Sequence, residues 1–271
     1  MGEFLELAKS RKSVRSFDKT KLSDEVISSL KEYAGSISNP YELPVKFVFL
    51  DKKENDLSSP VLSGEKTYVS GVIKKSEHAA EAFGYSFEDF IMHAHKNGIA
   101  TVWIGAAMPR AKFELATGLA ANDLMPCMTP IGKAAKKMSL KETLMRKGTK
   151  ADSRKNFTDL FFLDDFGSPL TEDKAAELGL KDALEAVRVA PSAINKQPWR
   201  IVITDGAAHF YVKHDKGLAT PDYDVQLIDM GIALYHFEKE FVSEGKELKL
   251  EIKDPVITVP AGTDYVASYR W

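Results

Sequence analysis

Apolar residues recur at helical spacing in several separated stretches of the chain. Phe4, Leu7 and Ala8 share one face of a short N-terminal helix that ends in a basic run. Val26, Ile27, Leu30, Tyr33 and Ala34 repeat behind Ser23-Asp24-Glu25, which reads as an N-cap with an acidic first turn. Phe83, Phe87, Phe90, Ile91 and Ala94 predict a longer helix, stopped by Asn97-Gly98, and Pro109 opens another short one. Leu180, Ala183, Leu184 and Val187 mark a strongly amphipathic helix, and Met230, Ala233, Leu234, Phe237 and Phe241 a second long one. Between these, residues 45–50, 99–105 and 201–204 read as buried strands. The alternation of Leu248, Leu250 and Ile252 predicts a half-buried strand, and residues 256–259 a last one. Residues 51–66 form a polar excursion, and the basic tract from residue 133 to 155 reads as loop.

The pattern repeats itself. Placing Leu30 on Leu184 aligns Ser38 with Ser192, Pro44 with Pro198, Val48 with Val202 and Asp51 with Asp205 without a gap. Gly84 and Gly98 bracket their helix with the spacing of Gly231 and Gly245. Equal element order and equal spacing predict a tandem duplication, residues 1–162 and 163–271, packed as a pseudo-symmetric dimer.

Composition narrows the class. A chain of 271 residues, 44% hydrophobic and 28% charged, can bury a large core as one big domain or two small ones. A formal net charge of −2 supplies no global field for nucleic acid or an anionic membrane surface. The longest apolar runs fall far short of a membrane span, and the N-terminus lacks the pattern of a signal peptide. Cys127 is the single cysteine, so no intrachain disulfide forms, which fits a reducing compartment or is indifferent to it; a cytoplasmic location is expected.

Candidate chemistry is local. Arg11, Lys12 and Arg15 around Ser13 read either as a solvated basic turn or as a phosphate clamp, since guanidinium forks and a hydroxyl match phosphate geometry. Thr101-Val102-Trp103-Ile104-Gly105 reads as core, or as a place where Gly105 lets backbone approach a flat ring. The loop Ala190-Pro191-Ser192-Ala193-Ile194-Asn195-Lys196-Gln197-Pro198-Trp199 is either a capped turn or a polar loop that holds a ligand. Arg154-Lys155, after Arg146-Lys147, reads as surface unless an anion is near. His93 and His95 point to different helical faces, which disfavours a shared metal; they read as solvent-facing or capping residues. No Walker loop, nucleophile elbow or dinucleotide fingerprint is present.

Four of these segments together resemble the nitroreductase superfamily of FMN-dependent oxidoreductases. They are Arg11-Lys12-Ser13-Val14-Arg15-Ser16-Phe17, the run from Gly98 to Gly105, Pro130-Ile131-Gly132 followed by Arg154-Lys155, and the loop from Ala190 to Trp199. The resemblance covers most of residues 1–162 and the first half of the remainder, and is weakest after Gly245. Ordinary members carry the loop a few tens of residues after the basic motif. Here that place holds Ser36-Ile37-Ser38-Asn39-Pro40-Tyr41-Glu42-Leu43-Pro44, a degraded copy, and the intact copy lies in the second repeat. Ordinary members are homodimers with flavin at the subunit interface, so this chain resembles a branch in which two units share one polypeptide.

The resemblance implies an α+β fold with mixed central sheets flanked by helices, an internal tandem repeat and one FMN per chain. A second clamp is not expected, because residues 156–173 hold no Lys or Arg and include an acidic, aromatic run from Asp159 to Phe166. By position, Arg11, Lys12 and Ser13 would meet the phosphate or ribityl end, Arg15 the pyrimidine edge, and Arg154 and Lys155 the phosphate. Ile104 and Gly105 would lie beside the ring, with Pro191, Ser192, Ala193 and Asn195 supplied by the other repeat. The implied activity is NAD(P)H oxidation with hydride transfer through flavin N5 to a nitroaromatic, a quinone or a similar electron-poor acceptor by a ping-pong route; no side-chain catalyst is implied. A flavin-binding or sensory protein without turnover is the alternative, and a cofactor-free ligand-binding scaffold a third. The expected partners are small molecules, with no metal, nucleic acid, membrane or obligate protein, and the chain is expected to be a monomeric pseudo-dimer.

Overall fold

The computed structural model describes residues 2–148, 151–243 and 245–271. The chain separates into two compact units, one formed by Arg11–Ala151 and the other by Asp152–Trp271 together with the segment ending at Ser10. Helix α1 (Glu3–Ser10) therefore belongs with the C-terminal residues.

In the unit formed by Arg11–Ala151, α2 (Asp24–Ser36) starts where Ser23 Oγ accepts the Val26 N–H, as the Ser-Asp-Glu signal predicts. Strands β1 (Lys46–Asp51) and β2 (Thr67–Lys74) pair antiparallel, with Phe47 opposite Gly71 and Leu50 opposite Tyr68. The other edge of β2 takes β3 (Asp123–Leu124) and β4 (Met128–Ile131), also antiparallel. Tyr68 and Val72 join Leu50, Phe113 and Met128 in a core on one face. On the opposite face, Phe47 and Phe49 meet Phe87 and Phe90 of α3 (Ala79–Lys96). Gly71 admits this close approach: a Cβ there would sit 2.5 Å from the Phe83 ring. Helix α4 (Arg110–Thr117) begins after Pro109, and α5 (Leu140–Gly148) follows the sheet.

In the other unit, α6 (Phe157–Leu160) leads into β5 (Phe161–Leu163), which lies parallel to β6 (Trp199–Thr204). The sheet order is β5-β6-β7-β9-β8, with β7 (Ala207–Lys213), β8 (Lys249–Glu251) and β9 (Thr263–Arg270) antiparallel to their neighbours. Helix α7 (Glu172–Glu177) precedes α8 (Lys181–Val189), and α8 packs on α9 (Val225–Ser243). Helix α1 packs on both: Leu5 is 1% exposed, its N–H reaches Glu240 Oε2 at 2.7 Å, and Phe4 meets the Tyr235 and His236 rings edge-on.

Both units contain helix–strand–strand–helix, as α2-β1-β2-α3 and as α8-β6-β7-α9 with a short 3-10 turn after α8; they then differ, with α4, β3 and β4 following in one and β8 and β9 in the other. The compact units do not divide at the expected 162/163 boundary. Strand β5 straddles that point and is bonded along β6, and α1 is buried against α8 and α9, so the breaks fall after Ser10 and Ala151.

Other elements differ from their sequence reading. Residues 99–105 are not a strand; isolated bridges tie Ala100 to Gly132 and Ile104 to Met128. Residues 256–259 are also outside any strand, and the last strand is β9. β2 and β7 escape the period-2 pattern because their residues are buried almost throughout. The basic tract contains α5, whose signal is the capping box Ser139-x-x-Glu142; Ser139 Oγ accepts the Glu142 N–H at 3.1 Å. His93 stacks on Tyr33 with centroids 3.4 Å apart and is half-buried, not solvent-facing. Among the described residues, no helix is long and apolar enough to cross a membrane.

Candidate functional site

Within the unit Arg11–Ala151, the basic segment after α1 is threaded through the fold by its backbone. The Val14 N–H reaches Thr101 O, the Phe17 N–H Ser63 O and the Asp18 N–H Lys133 O, while Ser63 N–H donates to Arg15 O and Ala135 N–H to Ser16 O. Such pairing on several sides fixes the direction in which Arg15 leaves the chain. Helix α5 adds a further tie, with Arg15 N–H donating to Glu142 Oε1 at 3.0 Å and Ser139 N–H to Ser16 Oγ at 3.1 Å.

The arginines are an unsatisfied cluster. Nη1 of Arg11 and Nε of Arg15 are buried with no hydrogen-bond acceptor among the described residues. Burial lowers the pKa of Arg11; Glu88 opposes the shift and Arg146 adds to it. Arg15 is lowered by burial too, with Glu142 opposing and Arg146 again adding. Arg146 thus shares one electrostatic neighbourhood with both, a third cation that the sequence reading placed on the surface. Lys12 is exposed, and Ser13 is half-buried. Buried donors without acceptors are costly, and an anion in reach of them removes the cost.

The run 101–105 lies in the same unit. Ile104 is 4% exposed, and its N–H and C=O both bond to Met128, so its amide is used up in the fold. Gly105 differs. Its C=O accepts from Arg110 Nη2 at 2.8 Å, while its N–H has no acceptor among the described residues. Of the two positions, only Gly105 presents an amide for a ligand.

In the other unit, the loop after α8 is strained and braced. Ile194, Asn195 and Gln197 have φ of 43, 58 and 51°, a region that costs a residue other than glycine on the order of 1–3 kcal/mol. Ser192 Oγ accepts the Gln197 N–H at 2.9 Å, and Gln197 Nε2 donates to Asn195 O at 3.2 Å. Asn195 Nδ2 donates to Ser153 O at 3.1 Å. Much of the loop's polarity therefore serves its own shape. Arg154 Nη2 donates to Val189 O at 3.0 Å, Lys155 N–H to Gln197 Oε1 at 2.9 Å and Lys155 Nζ to Gln197 O at 3.4 Å, so this pair clamps the loop from outside. Burial lowers the Lys155 pKa, with Arg200 adding to the shift and Asp215 opposing it. Pro191, Ser192, Ala193 and Asn195 remain half-buried.

A family model described as "Putative TM nitroreductase" matches residues 3–240. The chain belongs to this nitroreductase family. It is thereby an oxidoreductase by family, with the nitroreductase-like α+β fold. A solved "putative nitroreductase" from Thermotoga maritima has a similar fold, with TM-score 0.62 and 17% identity over 99% of this chain and 92% of that one. A nitroreductase "with Bound FMN" from Bacteroides fragilis matches 52% of this chain and 92% of its own, at 16% identity and TM-score 0.42. A "Putative NADH dehydrogenase/NAD(P)H nitroreductase" from Bacteroides thetaiotaomicron matches 51% and 90%, at 20% identity and TM-score 0.44. No curated protein matches the sequence.

Of the residues that sequence reasoning selects, the nitroreductase fold places Arg11, Lys12, Ser13, Arg15, Ile104 and Gly105 in one unit, and Arg154, Lys155, Pro191, Ser192, Ala193 and Asn195 in the other. Arg146 and Glu142 were missed because their tract is basic and poor in apolar residues. The capping box at Ser139 was the signal that could have found them.

Proposed function

We propose that this protein is an FMN-dependent NAD(P)H oxidoreductase that reduces a small electron-poor acceptor such as a nitroaromatic or a quinone. The observation that carries the proposal is the pair of buried guanidinium nitrogens, Arg11 Nη1 and Arg15 Nε, left without acceptors. FMN fits that deficit: its phosphate and pyrimidine edge are rich in acceptor oxygens, and the Gly105 N–H is a further unused donor. When bound, FMN would supply hydride chemistry at N5.

The chain's own residues bind and tune. Arg11, Lys12 and Ser13 are proposed to hold the phosphate or ribityl end, and Arg15 to place positive charge beside the pyrimidine edge, favouring the reduced form. The Gly105 N–H would donate towards the ring. Arg154 and Lys155 were expected at the phosphate, and their bonds to Val189 and Gln197 support a role in shaping the loop as well. Pro191, Ser192, Ala193 and Asn195 are proposed as flavin contacts. One FMN per chain is the proposed stoichiometry. Donor and acceptor would use the site in turn, a ping-pong scheme that needs no side-chain nucleophile. A tandem duplication that carries the family's paired units in one chain is the proposed origin of the shared element order, and the chain is proposed to act as a cytoplasmic monomer.

The test is an absorption spectrum with FMN added, followed by anaerobic titration with NADH and with NADPH. Bleaching of the flavin band by either nicotinamide, at one FMN per chain, is expected. A protein that stays colourless in FMN overturns the proposal, and bound flavin that neither nicotinamide bleaches removes the enzymatic part.

A further inference from the structure

We propose that Asp229 is the positioning residue of the Ser192–Asn195 turn: it holds the Ala193 amide from below and thereby the shape in which the turn meets its ligand. This rests on the proposed reading of that turn as a flavin contact. The Ala193 N–H lies 2.9 and 3.2 Å from the two carboxyl oxygens of Asp229, which is 3% exposed on α9. The turn needs such a hold. Ile194 and Asn195 are in the left-handed region, and relaxing them would displace the half-buried side chains of Ser192, Ala193 and Asn195. Ser192 braces the loop from within, Asn195 ties it to Ser153, Lys196 to Asp215, and Arg200 holds Gln197, whereas Asp229 ties the Ala193 amide to the long helix beneath.

A carboxyl group is a costly way to accept one amide. Burial pushes its pKa well above the usual carboxylate range; the Ala193 bond opposes this, and the nearby charge of Asp224 adds to it. The repeat supplies an internal comparison. With Gly231 placed on Gly84, Asp229 falls on Ala82, which is fully buried. The loop in that unit is the degraded copy, and it is held differently: Asn39 Nδ2 donates to Leu43 O at 2.6 Å and to Ser86 Oγ of α3 at 3.0 Å. At this aligned position an acid thus accompanies the intact turn and an alanine the degraded one, although Glu81, Glu88 and Asp89 are buried elsewhere on α3.

The experiment measures dissociation constants for FMN and for riboflavin by quenching of flavin fluorescence in the full-length wild type, Asp229→Asn, Asp229→Ala and Ala193→Pro, each checked for folding by circular dichroism. Loss of the amide bond is expected to weaken both flavins equally, by about tenfold in Asp229→Ala and Ala193→Pro, because the turn is not assigned to the phosphate. Asp229→Asn keeps an acceptor of the same shape and is expected to stay within about twofold of wild type. Wild-type affinity in Asp229→Ala, or in Ala193→Pro should Asp229→Ala not fold, overturns the inference. So does Asp229→Asn binding as weakly as Asp229→Ala, which would indicate a requirement for charge. A wild type that binds neither flavin fails earlier, at the reading of the turn itself, and takes this inference with it.

Discussion

Single residues divide here into those that hold the fold and those whose bonding is incomplete. Arg11 is of the second kind, a cation taken out of water with one nitrogen unmatched. Arg11→Met is expected to weaken FMN by about ten- to hundredfold, the worth of a charge-assisted bond, and to weaken riboflavin less, as read by fluorescence quenching. Without flavin its melting temperature should not fall, because the desolvation cost of the cation is gone. Asp229 gives a pH prediction. Its folded-state pKa lies above the unfolded one, so the native state retains a proton that the unfolded chain releases. Stability from this group is complete below the unfolded value of about 3.9 and declines as pH rises towards the folded value. Asp229→Asn does not titrate. Its melting temperature should match wild type near pH 3.5, roughly the unfolded carboxyl range, and exceed it increasingly towards neutrality. The basic cluster at Arg11–Arg15 and the polar loop were legible as residue types. Which of their atoms are spent was not, since that depends on partners such as Met128 for Ile104 and Val189 for Arg154.

Elements with one buried face were readable. Helices α2 and α8 follow their apolar periods, and Ser23 caps α2 as its sequence implies. Strand β2 was not, because both its faces are covered and alternation vanishes. The apolar run at 99–105 was read as a strand for the same reason in reverse: burial without periodicity does not separate a strand from an irregular buried segment. Two predictions belong at this scale. Gly71→Ala sets a methyl 2.5 Å from the Phe83 ring, so β2 and α3 must part, at a cost of about 1–3 kcal/mol in urea unfolding. Ser139→Ala removes the cap of α5 and costs about 1 kcal/mol. Because Glu142 holds the Arg15 N–H, hydrogen exchange at the Arg15 amide should quicken in the same variant.

At the scale of the molecule, the family and the α+β class were legible, because both rest on motifs and spacing along the chain. The division into units was not legible, because it depends on where α1 and β5 are buried. Leu5→Ala tests that division. It should cost about 2–5 kcal/mol, and the added hydrogen exchange should fall on α8 and α9, not on the sheet formed by β1 and β2.

That arrangement sets an order for synthesis on the ribosome. Helix α1 is translated well before α8 and α9, yet it is on these helices that it packs, with Leu5 and Ala8 buried. The residues from Arg11 to Ala151 emerge with all four strands of their sheet before those surfaces exist. Between the synthesis of α1 and that of α9 the nascent chain therefore carries an amphipathic helix whose docking surface is not yet made, a natural client for chaperones until α9 arrives.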